Sequence, residues 1–312
     1  MATQVFVDGA AGTTGLEIVA RLESHPHFEP VVLDEARRKD TNARREALND
    51  TPFAVLCLPD DAAREAVAMV DRGSKTRIVD ASSAHRVADG WTYGFPEITG
   101  REAIAEASRV SNPGCYPTGF LGLVAPLVRA GLLPADWPFT VNAVSGYSGG
   151  GKALIERFEE EPDIAFRAYG LSLDHKHLPE MQQHAGLAHS VLFAPSVVPA
   201  FRGMLVEVPL HLGAMANDPH TDALREALCA FYHSSDVVAA MPKADPGELL
   251  LHRNDAPWDG MQLAVFGNEG GCNARLVAVL DNLGKGASGA AIQNLNLMAG
   301  FPETASLRLN RS

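Results

Sequence analysis

Short apolar runs alternate with amphipathic stretches over the first third of the chain. The runs are rich in β-branched and aromatic residues, and they read QVFVDG, EPVVLD, FAVLCLP and RIVDAS. Runs of this length and composition are typical of strands in the interior of a sheet. The stretches between them have a helical pattern and read TGLEIVARLES, REALND and DAAREAVAMVDRG. This strand–helix order predicts an α/β fold with a parallel sheet.

The pattern changes near Cys115. Beyond this residue the predicted strands are longer and the helices fewer, as in FTVNAVSGYSGG, SVLFAPSVVPAFRGMLVEVPLHL and MQLAVFGNEGGCNARLVAVLDN. We therefore predict a second domain with a mixed sheet, after which GKGASGAAIQNLNLMAG returns to a helical pattern. A chain of 312 residues is long enough for two domains with separate cores.

Charge and hydropathy exclude several classes of protein. The formal net charge is −12, and no run of Lys and Arg is long enough to follow a phosphate backbone, so nucleic-acid binding is not expected. No apolar stretch reaches the roughly 18 residues that a membrane span needs. The N-terminus also lacks the basic region of a signal peptide. We therefore expect a cytoplasmic protein that does not enter a membrane.

The four cysteines are scattered along the chain. Cys57, Cys115, Cys229 and Cys272 are far apart, and none belongs to a CxxC motif. This spacing favours neither a disulfide framework nor a zinc site, so we expect reduced thiols and no metal.

A glycine motif follows the first predicted strand. In VDGAAGTTG, Gly9, Gly12 and Gly15 come directly after the strand and open a helix. Such a turn lets the backbone approach a pyrophosphate, whose charge meets the unpaired N–H groups of the helix N-terminus. The alternative is a tight strand-to-helix turn that binds no ligand, but its place at the first strand of a βαβ series favours dinucleotide binding.

The end of the second predicted strand carries signals for both nicotinamide cofactors. Asp34 and Glu35 are suited to a ribose hydroxyl, which would favour NAD. Arg37 and Arg38 are suited to a 2′-phosphate, which would favour NADP. For the arginines, a solvated helix start is the alternative.

Cys115 has an unusual setting for a structural cysteine. It lies in VSNPGCYPTGF rather than in an apolar run, so we interpret it as a candidate nucleophile. A thiol becomes a strong nucleophile beside a histidine or at a helix N-terminus. The best histidine candidates are His175 and His177 in LDHKHLPEM, beside Pro179 and Glu180. This block also fits an ordinary helix N-terminus, whereas the absence of a third ligand nearby argues against zinc.

The segment SNPGCYPTGF resembles the active-site segment of the N-acetyl-γ-glutamyl-phosphate reductases. Further blocks resemble that family in the same order along nearly the whole chain: VDGAAGTTG, VDASSAHR, YGFPEI, VSGYSGGGK, HKHLPEM, VVPAFRGM and GKGASGAAIQNLNLM. The chain is similar to the shorter form of the family. Its first block departs from the commoner GATGYTG at Asp8, Ala11 and Thr13.

The resemblance implies a fold, a reaction and an assembly. The fold would be a Rossmann-type dinucleotide-binding domain over residues 1–115, completed by 285–312, with an α+β catalytic and dimerisation domain over 116–284. The reaction would be the NADPH-dependent conversion of an acyl phosphate, N-acetyl-γ-glutamyl phosphate, to N-acetylglutamate semialdehyde in arginine biosynthesis. It would proceed through a thioester on the cysteine, which suits both attack on the acyl phosphate and reduction by hydride. A homo-oligomer, dimer or tetramer, is also implied.

The resemblance also suggests roles for individual residues. Cys115 is expected as nucleophile at a turn, with the following helix starting near Thr118 and Gly119, and His177 as the acid/base. His175 would orient or bind the substrate, and Glu180 would hold an imidazole. The cofactor candidates are Gly9, Ala11, Gly12, Thr13, Thr14, Gly15, Arg37, Arg38, Ser82 and Asn294.

Substrate-binding candidates share polar groups or backbone N–H groups that suit phosphate or carboxylate. They are Asn112, Ser145, Gly146, Lys152 and Arg202. We expect Ser145 and Gly146, in a loop after FTVNAV, to bind the leaving phosphate through a hydroxyl and backbone N–H groups. Their alternative is an ordinary glycine-rich loop. Arg202 is a candidate for the substrate α-carboxylate, with a structural ion pair as the alternative.

Two other functions remain open from the sequence. Aspartate-semialdehyde dehydrogenase shares the thioester chemistry, but its cysteine has a different sequence context from Pro-Gly-Cys-Tyr-Pro with a downstream HxHxPE. A non-catalytic NADP-binding sensor is the second alternative, and the presence of both Cys115 and His177 argues against it.

Overall fold

A computed structural model of the chain describes residues 2–243 and 247–310, which form two compact units. The first unit runs to Gly114 and includes Ala287–Leu307, and the second contains Cys115–Gly286 with the chain from Arg308. The sequence assigned all of 285–312 to the first unit. Lys285, Gly286 and residues 308–310 lie instead in the second unit, where the backbones of Asp259 and Arg308 are hydrogen-bonded at 2.8 Å; Cys115, expected as the last residue of the first unit, is the first of the second. Arg311 and Ser312 lie outside the described residues.

The first unit contains the strand–helix series that the sequence predicted. Its elements are β1 (Thr3–Asp8), α1 (Thr13–Glu23), β2 (Phe28–Val31), α2 (Thr41–Asp50), β3 (Phe53–Leu56), α3 (Asp60–Ala68), β4 (Arg77–Asp80), β5 (Thr92–Tyr93), α4 (Pro96–Thr99), α5 (Arg101–Glu106), β6 (Arg109–Ser111) and α10 (Gly289–Ala299). The strands form one sheet in the order β2-β1-β3-β4-β6-β5, and every pairing is parallel. The predicted α/β fold with a parallel sheet is therefore confirmed.

Both faces of this sheet are buried, and β1 shows how. Val5 and Val7 pack on one face in a cluster that includes residues of α1 and α10. Phe6 points to the other face and packs with Leu48 of α2 and Ala66 of α3. Burial on both faces is why the strands of a parallel sheet are apolar throughout rather than alternating. The packing of α10 also explains why the last helical segment belongs to the first unit.

The second unit has more strands and fewer helices. Its elements are α6 (Cys115–Arg129), β7 (Thr140–Gly146), α7 (Lys152–Glu160), β8 (Arg167–Ala168), α8 (Leu178–Ala185), β9 (Leu192–Val198), β10 (Met204–His211), α9 (Thr221–Tyr232), β11 (Val238–Ala240), β12 (Met261–Gly267) and β13 (Asn273–Leu280). They form a seven-stranded sheet in the order β11-β12-β13-β10-β7-β9-β8. The β7–β9 and β11–β12 pairs are parallel and the others antiparallel, so the predicted mixed sheet is confirmed.

Helix α6 packs closely against this sheet and thereby fixes Cys115, its first residue. A Cβ at Gly119 would lie 2.7 Å from Val206 of β10, and one at Gly122 would lie 2.5 Å from Met261 of β12. At Gly119 the nearby atoms include Cβ of the buried Val206, 2.9 Å away, which cannot move without its strand, so Gly119 serves packing rather than a helix start; the Met261 methyl near Gly122 ends a flexible side chain. The helix begins three residues before the predicted Thr118. In the part of the chain described, no helix is both long and apolar enough to cross a membrane.

Candidate active site

Cys115 lies at the N-terminus of α6, half-buried, and lines a cavity of about 380 Å³ within the second unit. The other lining residues come from the α6 start, the β7 end and its following turn, α7, β8 and β9: Tyr116, Ser145, Gly146, Gly149, Gly150, Ala153, Leu154, Arg167, Tyr169 and Val197. The first N–H groups of a helix have no intrahelical acceptor and carry partial positive charge. This position therefore favours the thiolate form of Cys115 and any oxyanion formed beside it.

Two tyrosines supply hydroxyl groups to the cavity wall. Burial raises the pKa of Tyr116 well above its usual value. It also raises the pKa of Tyr169 to about 12, although the nearby positive charge of Arg167 lowers the pKa of that second phenol. Both phenols are therefore neutral near pH 7. The Tyr116 hydroxyl donates to the Ser196 carbonyl at 3.3 Å. The wall is thus polar but contains no phenolate that would repel an anionic substrate.

The predicted phosphate loop differs from the expectation. Ser145 and Gly146 are the last residues of β7, not part of the loop after it. The Gly146 N–H donates to the Gly203 carbonyl at 2.8 Å, so it cannot also donate to a phosphate. A Cβ at Gly146 would lie 2.8 Å from the Ala200 and Phe201 carbonyl oxygens, which explains the glycine. The Ser145 hydroxyl donates to the Gly146 carbonyl at 3.0 Å, and since a hydroxyl can rotate to another acceptor it stays the candidate phosphate ligand, whereas the prediction for the Gly146 N–H is wrong.

The histidine pair stands at the start of α8. His177 is the buried residue that precedes the helix, Pro179 lies in the first turn and Glu180 is buried behind it. The His177 N–H donates to Nδ1 of His175 at 3.2 Å, and their ring centroids are 4.7 Å apart. Burial, and the charge of Lys176, lower the pKa of His175. The Tyr116 ring lies 6.0 Å from the His177 ring and 6.4 Å from the His175 ring. His175, His177 and Glu180 are not among the lining residues of the Cys115 cavity; the two imidazoles lie behind its wall, next to Tyr116.

Three predicted substrate ligands, Asn112, Lys152 and Arg202, do not line the Cys115 cavity. Lys152 is exposed at the first position of α7. Arg202 donates to the carboxylate of Asp281 at 2.8 Å, and the pair lines a separate cavity of about 30 Å³ beside Trp258. The structure thus contains the ion pair that was the alternative interpretation of Arg202.

In the glycine turn of the first unit, close backbone contacts require glycine at two positions. Gly9 has a positive φ of 86°, and a Cβ there would lie 2.2 Å from the Cys57 carbonyl oxygen. A Cβ at Gly15 would lie 2.3 Å from the Gly9 carbonyl oxygen. Gly12 is the N-cap of α1 and makes no side-chain cap. A Cβ at Gly12 would not clash with the backbone, so packing does not require this glycine. The absence of a side chain leaves the uncapped N-terminus of α1 open, which fits the approach of a pyrophosphate. Ala11, Thr13 and Thr14 lie in the same turn.

A cavity of about 550 Å³ adjoins this turn, within the first unit. Gly9, Ala10 and Ala11 line one side, and the charged lining residues are Asp8, Arg38, Lys39 and Arg44. Arg44 donates to the Asp8 carboxylate at 2.8 Å, which neutralises the one acidic group. The structure brings Arg38 to this cavity, where it also donates to Glu35 at 2.9 Å, whereas Arg37 does not line the cavity and reaches Glu46 at 3.6 Å on the surface.

The remaining predicted ligands are hydrogen-bonded inside the first unit. Ser82 donates through Oγ to Asp80 at 2.7 Å, and so stabilises the turn after β4. Nδ2 of Asn294 donates to the Gly94 carbonyl at 2.9 Å and to Oδ1 of Asn112 at 3.1 Å. Nδ2 of Asn112 donates to the Ala287 carbonyl, so Asn112 uses both ends of its amide in packing. Oδ1 of Asn294 is buried without a hydrogen-bond partner.

Sequence reasoning missed four residues that line these cavities. Arg167 and Tyr169 lie on or beside the two-residue strand β8, where no periodic pattern is long enough to be recognised. Lys39 directly follows the two arginines that the sequence singled out, and Arg44 comes six residues after Arg38. The basic residues concentrated in RRKDTNARR were the signal that could have indicated them.

The comparisons with known proteins agree with this organisation. Residues 4–107 match the model of the semialdehyde dehydrogenase NAD binding domain, and residues 115–282 match that of the semialdehyde dehydrogenase dimerisation domain. The chain is 48% identical to N-acetyl-γ-glutamyl-phosphate reductase 2 of a Nostoc species, over 97% of this chain and 99% of that one. It is 47% identical to the N-acetyl-γ-glutamyl-phosphate reductase of Brucella suis, over 96% and 100% of the two chains. The chain belongs to the N-acetyl-γ-glutamyl-phosphate reductase family.

Solved structures of aspartate semialdehyde dehydrogenases share the fold of this chain. The chain is similar to aspartate semialdehyde dehydrogenase II of Vibrio cholerae, with a TM-score of 0.67 and 18% identity over 96% of this chain and 99% of that one. It is also similar to the aspartate semialdehyde dehydrogenase of Candida albicans solved with NADP, with a TM-score of 0.63 and 15% identity over 98% and 99%. At these identities the likeness concerns the fold alone. The NAD binding domain indicates a nicotinamide dinucleotide as cofactor.

Proposed function

We propose that this chain catalyses the NADP-dependent reductive dephosphorylation of N-acetyl-γ-glutamyl phosphate to N-acetylglutamate semialdehyde, a step of arginine biosynthesis in the cytoplasm. The observation that carries the proposal is the position of Cys115 as first residue of α6, in the wall of a cavity large enough for a small substrate. Membership of the reductase family supports the choice of substrate over aspartyl phosphate.

Cys115 is the nucleophile in this proposal. Its thiolate attacks the γ-carbonyl carbon of the acyl phosphate, a carbon–sulfur bond forms, and the carbon–oxygen bond to phosphate breaks with its electron pair leaving on phosphate. The Ser145 hydroxyl lines the same cavity and is suited to donate to the departing phosphate. The product is a thioester on Cys115, whose carbonyl is electrophilic enough to accept a hydride.

The second half of the reaction regenerates the thiolate. NADPH, when bound, supplies a hydride to the thioester carbonyl carbon, and the carbonyl oxygen takes the electron pair. The N–H groups in the first turn of α6 stabilise this oxyanion. The oxygen is protonated transiently, and loss of that proton lets the carbon–sulfur bond break and release the aldehyde. A proton donor and acceptor beside Cys115 is therefore needed.

We assign that role to His177, with His175 as an orienting hydrogen-bond donor. Because Nδ1 of His175 accepts the His177 N–H, the neutral His175 ring carries its proton on Nε2 and can donate but not accept there. The lowered pKa of His175 keeps this neutral form at pH 7. A donor of fixed orientation suits substrate binding, which leaves the buried His177 for proton transfer. Glu180, buried in the first turn of α8, is suited to orient an imidazole.

The residues of the first unit fit NADP. Gly9, Ala11 and Gly12 with the N–H groups of Thr13, Thr14 and Gly15 would hold the pyrophosphate at the uncapped end of α1. Arg38 and Lys39 line this cavity and would pair with the 2′-phosphate, for which Arg38 would exchange its ion pair with the exposed Glu35. The buried Oδ1 of Asn294 is suited to accept from the nicotinamide amide group.

We also propose that the chain forms a homo-oligomer, because residues 115–282 of the second unit match the model of a dimerisation domain.

The reverse reaction tests the proposal directly. Purified chain is mixed with N-acetylglutamate semialdehyde, inorganic phosphate and NADP, and NADPH formation is followed by its absorbance. We expect turnover that requires phosphate and is far slower with aspartate semialdehyde. Preference for aspartate semialdehyde would favour the dehydrogenase alternative. NADP binding without turnover of either aldehyde would favour a sensor.

A further inference from the structure

Arg167 is the one Lys, Arg, Asp or Glu side chain that lines the Cys115 cavity among the residues the structure describes. Its guanidinium lies over the Tyr169 ring, 4.6 Å from the centroid. This stacking limits the motion of a long side chain and adds a cation–π attraction. No carboxylate within residues 2–243 and 247–310 is paired with Arg167, in contrast to Arg202, which is bonded to Asp281. The cavity therefore presents a positioned cation without a protein counter-charge.

The register of the sheet sets the distance between the backbone of Arg167 and the backbone of Ser145, which lines the cavity near Cys115. Ser145 of β7 is the direct neighbour of Val197 in β9, and Val197 is the direct neighbour of Arg167 in β8. Direct neighbours project to the same face of a sheet, and all three side chains line the cavity. Strands are about 4.8 Å apart, so the Ser145 and Arg167 backbones are about 10 Å apart. Val197 forms the apolar floor between two polar ends.

We propose that Arg167 binds the α-carboxylate of the substrate and so sets specificity for a substrate with an anionic group at that end; this inference rests on the proposed function. In N-acetyl-γ-glutamyl phosphate the α-carboxylate is four carbon–carbon bonds from the carbonyl carbon that Cys115 attacks. The phosphate leaves from that same carbonyl carbon and therefore lies at the Ser145 end. The carboxylate is the anionic group that extends toward Arg167, with the methylene groups over Val197. A guanidinium matches a carboxylate through two parallel hydrogen bonds.

The reverse reaction separates the two anions, because the carboxylate enters with N-acetylglutamate semialdehyde and phosphate enters alone. For Arg167→Gln we expect the KM for the semialdehyde to rise roughly ten- to hundredfold, the loss expected for one charge-assisted contact. The KM for phosphate should stay within twofold. Arg167→Lys keeps the charge but not the paired donors, so its KM should lie between the two. Arg157→Gln, on the exposed face of α7 outside the cavity, is the matched control.

A second measurement uses the semialdehyde with its α-carboxylate converted to a carboxamide. The wild type should turn over this analogue ten- to hundredfold less efficiently, whereas Arg167→Gln should treat acid and amide alike. A rise in the phosphate KM alone, unchanged KM values for both substrates, or undiminished discrimination in Arg167→Gln would overturn the proposal. If Arg167→Gln does not fold, the same comparison in Arg167→Lys decides. A wild type that is inactive on the semialdehyde would instead refute the proposed function.

Discussion

The backbone N–H of His177 donates a hydrogen bond to Nδ1 of His175 at 3.2 Å. This contact makes two histidines of one short motif chemically different, because it fixes which nitrogen of His175 carries the proton. The motif HKHLPEM favoured His177 as the acid/base by its place beside Pro179 and Glu180, and the turn before α8 adds a chemical difference between the two imidazoles.

Replacing Cys115 by serine should abolish turnover and leave cofactor binding intact. A serine hydroxyl has a much higher pKa than a thiol and is not activated by a helix N-terminus alone. Turnover is measured by NADPH formation, and cofactor binding by the fluorescence of bound NADPH. Cys272→Ser is the matched control, since Cys272 is exposed and outside the cavity. Activity of Cys115→Ser within tenfold of the wild type would contradict the role of nucleophile.

Replacing Arg37 and Arg38 together by alanine should weaken the binding of NADPH much more than the binding of NADH. Because Arg38 lines the first-unit cavity while Arg37 reaches Glu46, Arg38→Ala alone should account for most of the effect. Loss of one charge-assisted contact with the 2′-phosphate should raise the KM for NADPH roughly ten- to hundredfold. Arg72→Ala, at an exposed position, is the control. Equal losses for both cofactors would place the 2′-phosphate elsewhere.

Arg77 should be important for the stability of the first unit. Its guanidinium donates to the carbonyl oxygens of Ala105 and Ala107, both at 2.6 Å, and to that of Met298. These carbonyls lie at the ends of α5 and α10, where helices lack internal donors. Arg77→Met should lower the free energy of unfolding by roughly 3 kcal/mol in urea denaturation, because buried acceptors lose charged donors. An effect as small as that of Arg72→Met would show that water replaces the guanidinium.

His25 should make the protein less stable in acid. Burial is the main cause that lowers the pKa of His25 in the folded state. A lowered histidine pKa means that its contribution to stability is complete above the unfolded value, about 6.5, and is lost as pH falls from there toward the folded pKa. His25→Asn should therefore reduce the fall in the free energy of unfolding between about pH 7.5 and 5.5. The exposed His189→Asn should keep the wild-type slope; an identical slope in His25→Asn would contradict the prediction.

The regular elements were predictable where the pattern is long. The strands from β1 to β4 and the helices between them follow from apolar runs, because a sheet buried on both faces requires them. The strands β5 and β8 have two residues each, too few for any periodicity to appear. The start of α6 at Cys115 was missed because Pro117 and Gly119 look like turn residues. Proline is tolerated in a first helical turn, and Gly119 is required by the contact with Val206.

Contacts between distant residues decided the site and could not be predicted from local sequence. Arg202 looks like a substrate ligand until Asp281, far along the chain, is seen to pair with it. Arg167 has no motif around it and reaches the cavity only because β8 aligns with β9. The Gly146 N–H looks available until the Gly203 carbonyl is placed opposite it. Cys115 and the glycine turn were found because their chemistry depends on immediate neighbours.

His177→Asn and His175→Asn should affect different kinetic constants. General acid–base groups contribute about 10² to 10⁴ in rate, so His177→Asn should lower kcat by that order with little change in KM. His175 is held as a donor by the His177 N–H, so His175→Asn should mainly raise the KM for the semialdehyde.

A second readout concerns Cys115 directly. If the His177 imidazole also stabilises the thiolate, alkylation of Cys115 by iodoacetamide should require higher pH in His177→Asn than in the wild type. His184→Asn, later in α8, serves as the control for disturbance of the helix. A large loss of kcat in His175→Asn with His177→Asn near normal would reverse the assignment. It would mean that Nε2 of His175 exchanges its proton during turnover, and hence that the contact with the His177 N–H breaks in the reacting complex.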